Sequence, residues 1–299
     1  MRIPSTGAHN RWHPELEPVA RVAPGDVVTL ETRDGLDGQL TRASTHADCG
    51  RIDDGRAHPL TGPVFVDGAV ARSPELPGIA VPACVHAGVI GVAPSHALME
   101  AQREREERIR AAGGPVADDA RESASPPSAA AGLRTIPPRE TGGNLDIRRL
   151  VAGSTLLLPV HVPGALLSLG DVHFAQGDGE VCGTGIEIEA VVTVRLGLRT
   201  APRWVPQFPA YVTPPGPERA CFATTGIPEE NAMDLTAAAR AALLAMIDWL
   251  ETEHGLSRPA AYCLCSACVD LHLSEVVDIP YPLVSALIPL DVFEGSPHA

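Results

Sequence analysis

Between Gly170 and Glu187 the chain sets four carboxylates, one histidine and five glycines within 18 residues. Glycine lets the backbone bend tightly and lets another group come close. Both flanks are apolar: Ala165-Leu166-Leu167-Ser168-Leu169 on one side, Ile186-Glu187-Ile188-Glu189-Ala190-Val191-Val192 on the other. That pattern predicts strands joined by a glycine-rich link, with the acidic residues on the turn and on the strand ends beside it. Side chains held there are held rigidly. An acidic, solvated hairpin is the plainer alternative, but a free loop has no need of apolar flanks.

The remainder reads as β first and helical late. Val27-Val28-Thr29-Leu30-Glu31-Thr32 is a β-branched run after the turn Pro24-Gly25-Asp26, and Val64-Phe65-Val66 is a further short strand. Asp34 and Asp37 lie in the turn-rich stretch 33–38, either facing a site or acting as ordinary turn aspartates. Ser95 caps a helix over 95–112, whose charges form a solvated face. Residues 113–140 are rich in Ala, Ser and Pro and predict a mobile loop. Leu150 to Leu198 is β again, with Ile186–Leu196 alternating so that Glu187 and Glu189 share a face. Asp234–Glu251 is the clearest amphipathic helix, and a second helix runs from Ala260 to about Asp270. The expected fold is mainly β: a β-sandwich-like body over 1–225 and an α+β C-terminal subdomain over 226–299.

Composition excludes several functions. The 299 residues carry no lysine; all 23 basic residues are arginine. No lysine Schiff base and no Ser-Lys amidase chemistry is available. A formal net charge of −14 without a basic cluster argues against nucleic acid as a partner. No secretory leader and no membrane-length apolar run is visible, so a soluble, cytoplasmic protein is expected. The seven cysteines are irregularly spaced. Cys263, Cys265 and Cys268 form a C-x-C-x-x-C group with His272 as the nearest fourth ligand, or simply line a buried face.

Ordered blocks along nearly the whole chain resemble the acetamidase/formamidase family. They are His9-Asn10-Arg11-Trp12-His13-Pro14, Thr61-Gly62-Pro63-Val64-Phe65-Val66-Asp67-Gly68-Ala69, Gly88-Val89-Ile90-Gly91-Val92-Ala93-Pro94-Ser95 and Gly142-Gly143-Asn144-Leu145-Asp146-Ile147. The run from Leu158 into the glycine-rich link completes the set. The resemblance implies a mostly β fold with a small helical C-terminal part, hydrolysis of short aliphatic amides, and assembly as a homo-oligomer. The first block is closest to the formamidase branch, which favours formamide over acetamide. Two departures stand out. Members run on after the Val-Asp-Gly-Ala block, whereas here Ala69 passes almost directly to Arg72-Ser73-Pro74, and Thr141 precedes the Gly-Gly-Asn block. A relative disabled by the missing segment, kept for binding or assembly, is the alternative function.

Amide hydrolysis needs an activated nucleophile, oxyanion stabilisation and a proton for the leaving amine. A divalent metal supplies the first two. Asp171 and His173 are two apart on a strand, and Glu187 returns on the neighbouring one. These three are the expected ligands, with zinc the expected ion. Glu180 is the expected general base and proton shuttle, and Asp178 its orienter or a further ligand. Asn144 and Gln176 are the expected substrate amides. His9, His13 or His58 could complete the metal shell. Cys182 is the alternative nucleophile, though the nitrilase-type pattern it resembles also needs a lysine.

Overall fold

A computed structural model describes residues 2–12, 27–41, 43–45, 48, 51–60, 70–71, 75, 78–117, 123–216 and 219–294. The expected turn at 24–26, the strand at 64–66 and His13 lie outside them. The described chain is mostly β. The described residues form three larger sheets, two short strand pairs and three α-helices.

The sheet that carries the acidic segment has four strands: β1 (His86–Gly91), β2 (Gly142–Asn144), β3 (Ser168–Ala175) and β4 (Ile186–Glu187). Their order is β4-β3-β1-β2. All pairings are antiparallel, and His173 sits opposite both Glu187 and His86. The single strand expected over 186–196 is instead two. Val191–Arg195 pairs with Val27–Glu31 in a separate three-stranded sheet. Between them Ile188 N still donates to Val172 O at 2.9 Å, and Ala190 is buried. The chain crosses from one sheet to the other there, so Glu189 is exposed and no longer shares the strand face of Glu187.

A five-stranded antiparallel sheet joins Asp270–Glu275, Leu283–Pro289, Cys221–Gly226, Ala210–Val212 and Thr155–Leu157, in that order. It draws strands from both sides of residue 225. Its two faces carry separate cores. On one, helix Leu235–His254 lays Ala238, Ala242, Met246 and Leu250, spaced four apart, against Phe222, Val284, Ala286 and Ile288. Fully burying Met246 and Leu250 contributes about 1.5–3 kcal/mol each. Asp234 caps this helix by accepting from Ala237 N at 2.9 Å, and Gly255 ends it in the left-handed region at φ 68°. A shorter helix, Arg258–Cys268, packs beside it.

The other face packs Tyr211, Ala223, Leu283 and Leu287 against Leu145 and Ile147. Those two residues flank Asp146, so anchoring their apolar side chains in this core fixes the aspartate between them.

Helix His96–Ala111 is capped by Ser95, whose Oγ accepts from Leu98 N at 3.2 Å. Its charge is not all solvated. Gln102 and Arg105 are buried and both reach Glu140, at 2.6 Å each, while Arg139 reaches Glu106 at 2.7 Å. Burial alone would lower the Arg105 pKa, but Glu140 outweighs it and raises it. The helix thereby holds the residues leading into β2. The stretch expected to be a loop buries Ala117, Ala124, Ala129 and Leu133 and includes a 3-10 turn at Pro127–Ala131.

Candidate metal and active site

His173 is 1% exposed, and its two ring nitrogens face different environments. Nδ1 lies 2.7 Å from Oε1 of Gln176. The Gln176 amide cannot be turned over, because its Nε2 donates to the carbonyl of Asp146 at 2.7 Å. Oε1 is therefore the acceptor and Nδ1 carries the hydrogen. That leaves Nε2 directed at carboxylates: Glu187 Oε1 at 3.1 Å, and Asp146 Oδ1, Asp171 Oδ2 and Glu180 Oε1 at 3.8 Å each.

These separations suit a shared cation. Nitrogen and oxygen ligands about 2.1 Å from a tetrahedral ion lie about 3.4 Å apart. Among the described residues two groups could hold a metal ion: Asp171, His173 and Glu187, and Asp146, His173 and Glu180. The first is the expected trio. The donor set fits a divalent cation. Both oxygens of Asp146 and Oε2 of Glu187 are buried without a hydrogen-bond partner. Asp146 lies alongside Glu180, but two carboxylates can bond only through a proton or a cation between them.

The backbone is bent to make this cluster. Asp146, Asp171 and Glu180 all have positive φ, at 43°, 56° and 44°. Such values are uncommon outside glycine, and strain of this kind gathers at functional sites. Gly88, across from Asp171, has no room for a side chain. A Cβ there would lie 2.3 Å from Oδ1 of Asp146 and 3.0 Å from Oδ2 of Asp171.

Burial sets the electrostatics. It pushes Glu180 up to about 7, with Asp171 and Glu187 adding to it and His173 opposing. Burial raises Asp171 as well, and holds Asp146, Glu275 and Asp278 well above the ordinary carboxylate range, with neighbouring carboxylates adding to it. Burial disfavours a charge on His173, yet Glu187, Asp171 and Asp146 outweigh it and raise the ring to about 11. His86, edge-on to His173 at 5.2 Å, is lowered to about 4 by burial and by His173.

Beside Nε2 of His173 lies a cavity of about 40 Å3. Asp171, Glu180, Glu187 and Asp278 supply its carboxylates; Asn144, Thr184 and His58 also line it, and Gly35 and Leu36 close one wall. The expected residues distribute unevenly around it. Asp171, His173, Glu180, Glu187 and Asn144 line it. Gln176 lies behind His173, bonding it and, at 2.9 Å, His86. Asp178 faces elsewhere, with His272 at 3.2 Å and Arg148 at 3.9 Å. Burial works to raise its pKa, but the hydrogen bond with His272 and the guanidinium of Arg148 lower it.

Cys182 is exposed, its thiol on the carbonyl of Thr184. His9 bonds Ser168 at 2.9 Å, whereas His58 stands 3.5 Å from Asp171. Asp34 and Asp37 serve their own turn, Asp34 capping Leu36 N and Gly38 N and Asp37 pairing with Arg33 and Arg56. Cys265 packs in the helical core.

Asp146, Glu275 and Asp278 were not singled out from the sequence. Asp146 did leave a signal, a carboxylate alternating with two apolar residues after a glycine pair. Glu275 and Asp278 left none, since only the fold brings the segment 275–278 to Asn144.

The family model described as the Acetamidase/Formamidase family matches residues 3–71 and 66–295. The chain belongs to this family. It is 29% identical to the formamidase of Methylophilus methylotrophus, over 96% of this chain and 89% of that one. Its fold is similar to that of an acetamidase from Bacillus halodurans, with a TM-score of 0.72 and 25% identity over 98% and 99% of the two chains. A gamma lactamase from Delftia acidovorans is also similar, with a TM-score of 0.63 and 28% identity over 96% and 90%. The family match divides at 66–71, where the sequence reading places the missing segment. Among the described residues no helix is long and apolar enough to cross a membrane.

Proposed function

We propose that this amidase is a metal-dependent hydrolase of short aliphatic amides, formamide or acetamide, releasing ammonia and the carboxylate. Family membership and the named formamidase relative support amide C–N cleavage. The observation that carries the metal is Nε2 of His173, turned by Gln176 onto four carboxylates.

Asp171, His173 and Glu187 would hold the ion, with zinc, which takes both imidazole and carboxylate ligands, the proposed one. Such an ion lowers the pKa of a water and polarises the amide carbonyl. Glu180, at about 7, is matched to taking a proton from the attacking water and returning it to the departing nitrogen. Asn144 gives Nδ2 to Asp278 at 2.5 Å and is left with a buried, unpartnered Oδ1. That oxygen is an acceptor for the NH2 of the substrate. Gln176 orients His173, and Asp178 ties the turn after β3 to the strand that bears His272.

Assembly as a homo-oligomer is supported by Leu271 and Leu273, 51% and 44% exposed on the edge strand of the five-stranded sheet. Light scattering on the purified protein tests it; a monomer at all concentrations overturns it.

The division of the family match at 66–71 favours one second reading, a relative that binds metal without turnover. Ammonia release from formamide and acetamide, after chelation and after zinc is restored, separates the readings. Turnover lost on chelation and regained with zinc is expected. Turnover indifferent to chelation removes the metal, and a folded, metal-loaded protein without turnover favours the disabled relative.

A further inference from the structure

The wall of the cavity formed by residues 34–39 is built to stay in place. Asp34 accepts from Leu36 N at 3.0 Å and from Gly38 N at 2.6 Å. Arg56 bonds both the carbonyl and the carboxylate of Asp37, at 3.1 and 3.2 Å. His58 N donates to Gly35 O at 2.5 Å. Gln39 and Asp53 exchange two bonds, at 2.7 and 3.1 Å. This turn also presses on the ligands, since a Cβ at Gly35 would lie 2.1 Å from Oδ1 of Asp171 and 3.1 Å from Oε2 of Glu187.

The turn presents Leu36 to the cavity. Every other lining residue described is a carboxylate, an imidazole, an amide, a hydroxyl or a glycine, so Leu36 is the one wholly aliphatic side chain there. The cavity, at about 40 Å3, has room for about three water-sized groups. An ion on Asp171, His173 and Glu187 would share that space, so the smallest amide, formamide, suits it best. The polar walls suit the oxygen and the nitrogen, which leaves the aliphatic wall to face whatever is attached to the carbonyl carbon.

We propose that Leu36, held by its hydrogen-bonded turn, is the residue that sets the acyl-chain limit of this site. It favours hydrogen over methyl on the carbonyl carbon and turns away longer chains. The inference rests on the amidase reading and adds to it the side of the substrate that is measured and the residue that measures it. A rigid wall discriminates where a mobile one would yield, and one methylene met by a hydrophobic surface is worth about 10–200-fold.

The test uses the full-length, zinc-loaded protein and two variants that change the wall in opposite directions, Leu36→Ala and Leu36→Phe. Specificity constants are compared for formamide, acetamide and propionamide, and calorimetry follows the binding of formate, acetate and propionate. Leu36→Ala is expected to raise the propionamide-to-formamide ratio at least about tenfold and to strengthen propionate relative to formate. Leu36→Phe is expected to lower the acetamide-to-formamide ratio. If both variants scale all three amides by one factor, the inference is overturned while the amidase stands. If the wild-type protein turns over no amide, the amidase reading fails, and an unchanged order of carboxylate binding in the two variants then overturns the sieve as well. Should Leu36→Ala not fold, Leu36→Phe alone carries a shift of defined sign.

Discussion

Gln176 accepts the Nδ1 hydrogen of His173 at 2.7 Å, and this one bond decides what His173 can do. In the neutral, ligating ring it fixes the tautomer, and it turns Nε2 toward the carboxylates. Support of this kind around a ligating histidine is worth about 10–100-fold in metal affinity or activity. Gln176→Ala is expected to lose that much zinc affinity in a chelator competition while the protein stays folded by circular dichroism.

The ligands themselves should matter more. His173→Ala and Glu187→Gln are each expected to remove bound zinc, as read by elemental analysis, and to lower activity by more than the roughly 100-fold upper range for support residues. Retained metal in His173→Ala would move the site elsewhere.

Glu180 should separate chemistry from metal binding. With the carboxylate gone, Glu180→Gln cannot take a proton from water. A fall of about 10²–10⁴ in kcat is expected, with the zinc content unchanged.

Stability without metal should fall as pH rises. Glu180 is raised from 4.5 to about 7, so the folded state keeps its proton longer than the unfolded chain does. The stabilisation it contributes is complete below about pH 4.5 and is lost as pH climbs through about 7. Asp146, Asp171, Glu275 and Asp278, all raised, act in the same direction. His173, raised to about 11, contributes below 6.5 and loses that contribution only as pH approaches 11. The melting temperature of chelated protein is expected to drop by several degrees between pH 5 and 8, and zinc to restore it. A flat profile in the chelated protein would contradict the carboxylate cluster.

Far from the site, Met246→Ala removes a side chain that is 0% exposed between helix and sheet. A loss of about 2–5 kcal/mol in denaturant unfolding is expected. Specificity among amides should be untouched in the folded fraction.

Much of the site was legible because it is local. Asp171, His173, Glu180 and Glu187 lie within one strand–turn–strand segment, so alternation and glycine content were enough to group them. Alternation over 186–196 predicts one strand where the fold has two, because it reports which side a residue faces, not which sheet pairs with it. The sequence makes Gln176 an expected substrate amide, whereas the fold sets it behind His173, held by the carbonyl of Asp146, 30 residues away.

The family, the mostly β character, the helix that Ser95 caps and the strands flanking the glycine-rich link can all be read from the chain alone, because each is written in short-range pattern. The second half of the candidate site comes from long-range packing. Asp146 is set by the packing of Leu145 and Ile147 on the five-stranded sheet, Asp278 by its bond to Asn144, and Leu36 by a turn pinned to Arg56 and His58. None of these partners is near in sequence, and burial, which gives the carboxylates their shifted pKa values, exists only once the sheets have closed on one another.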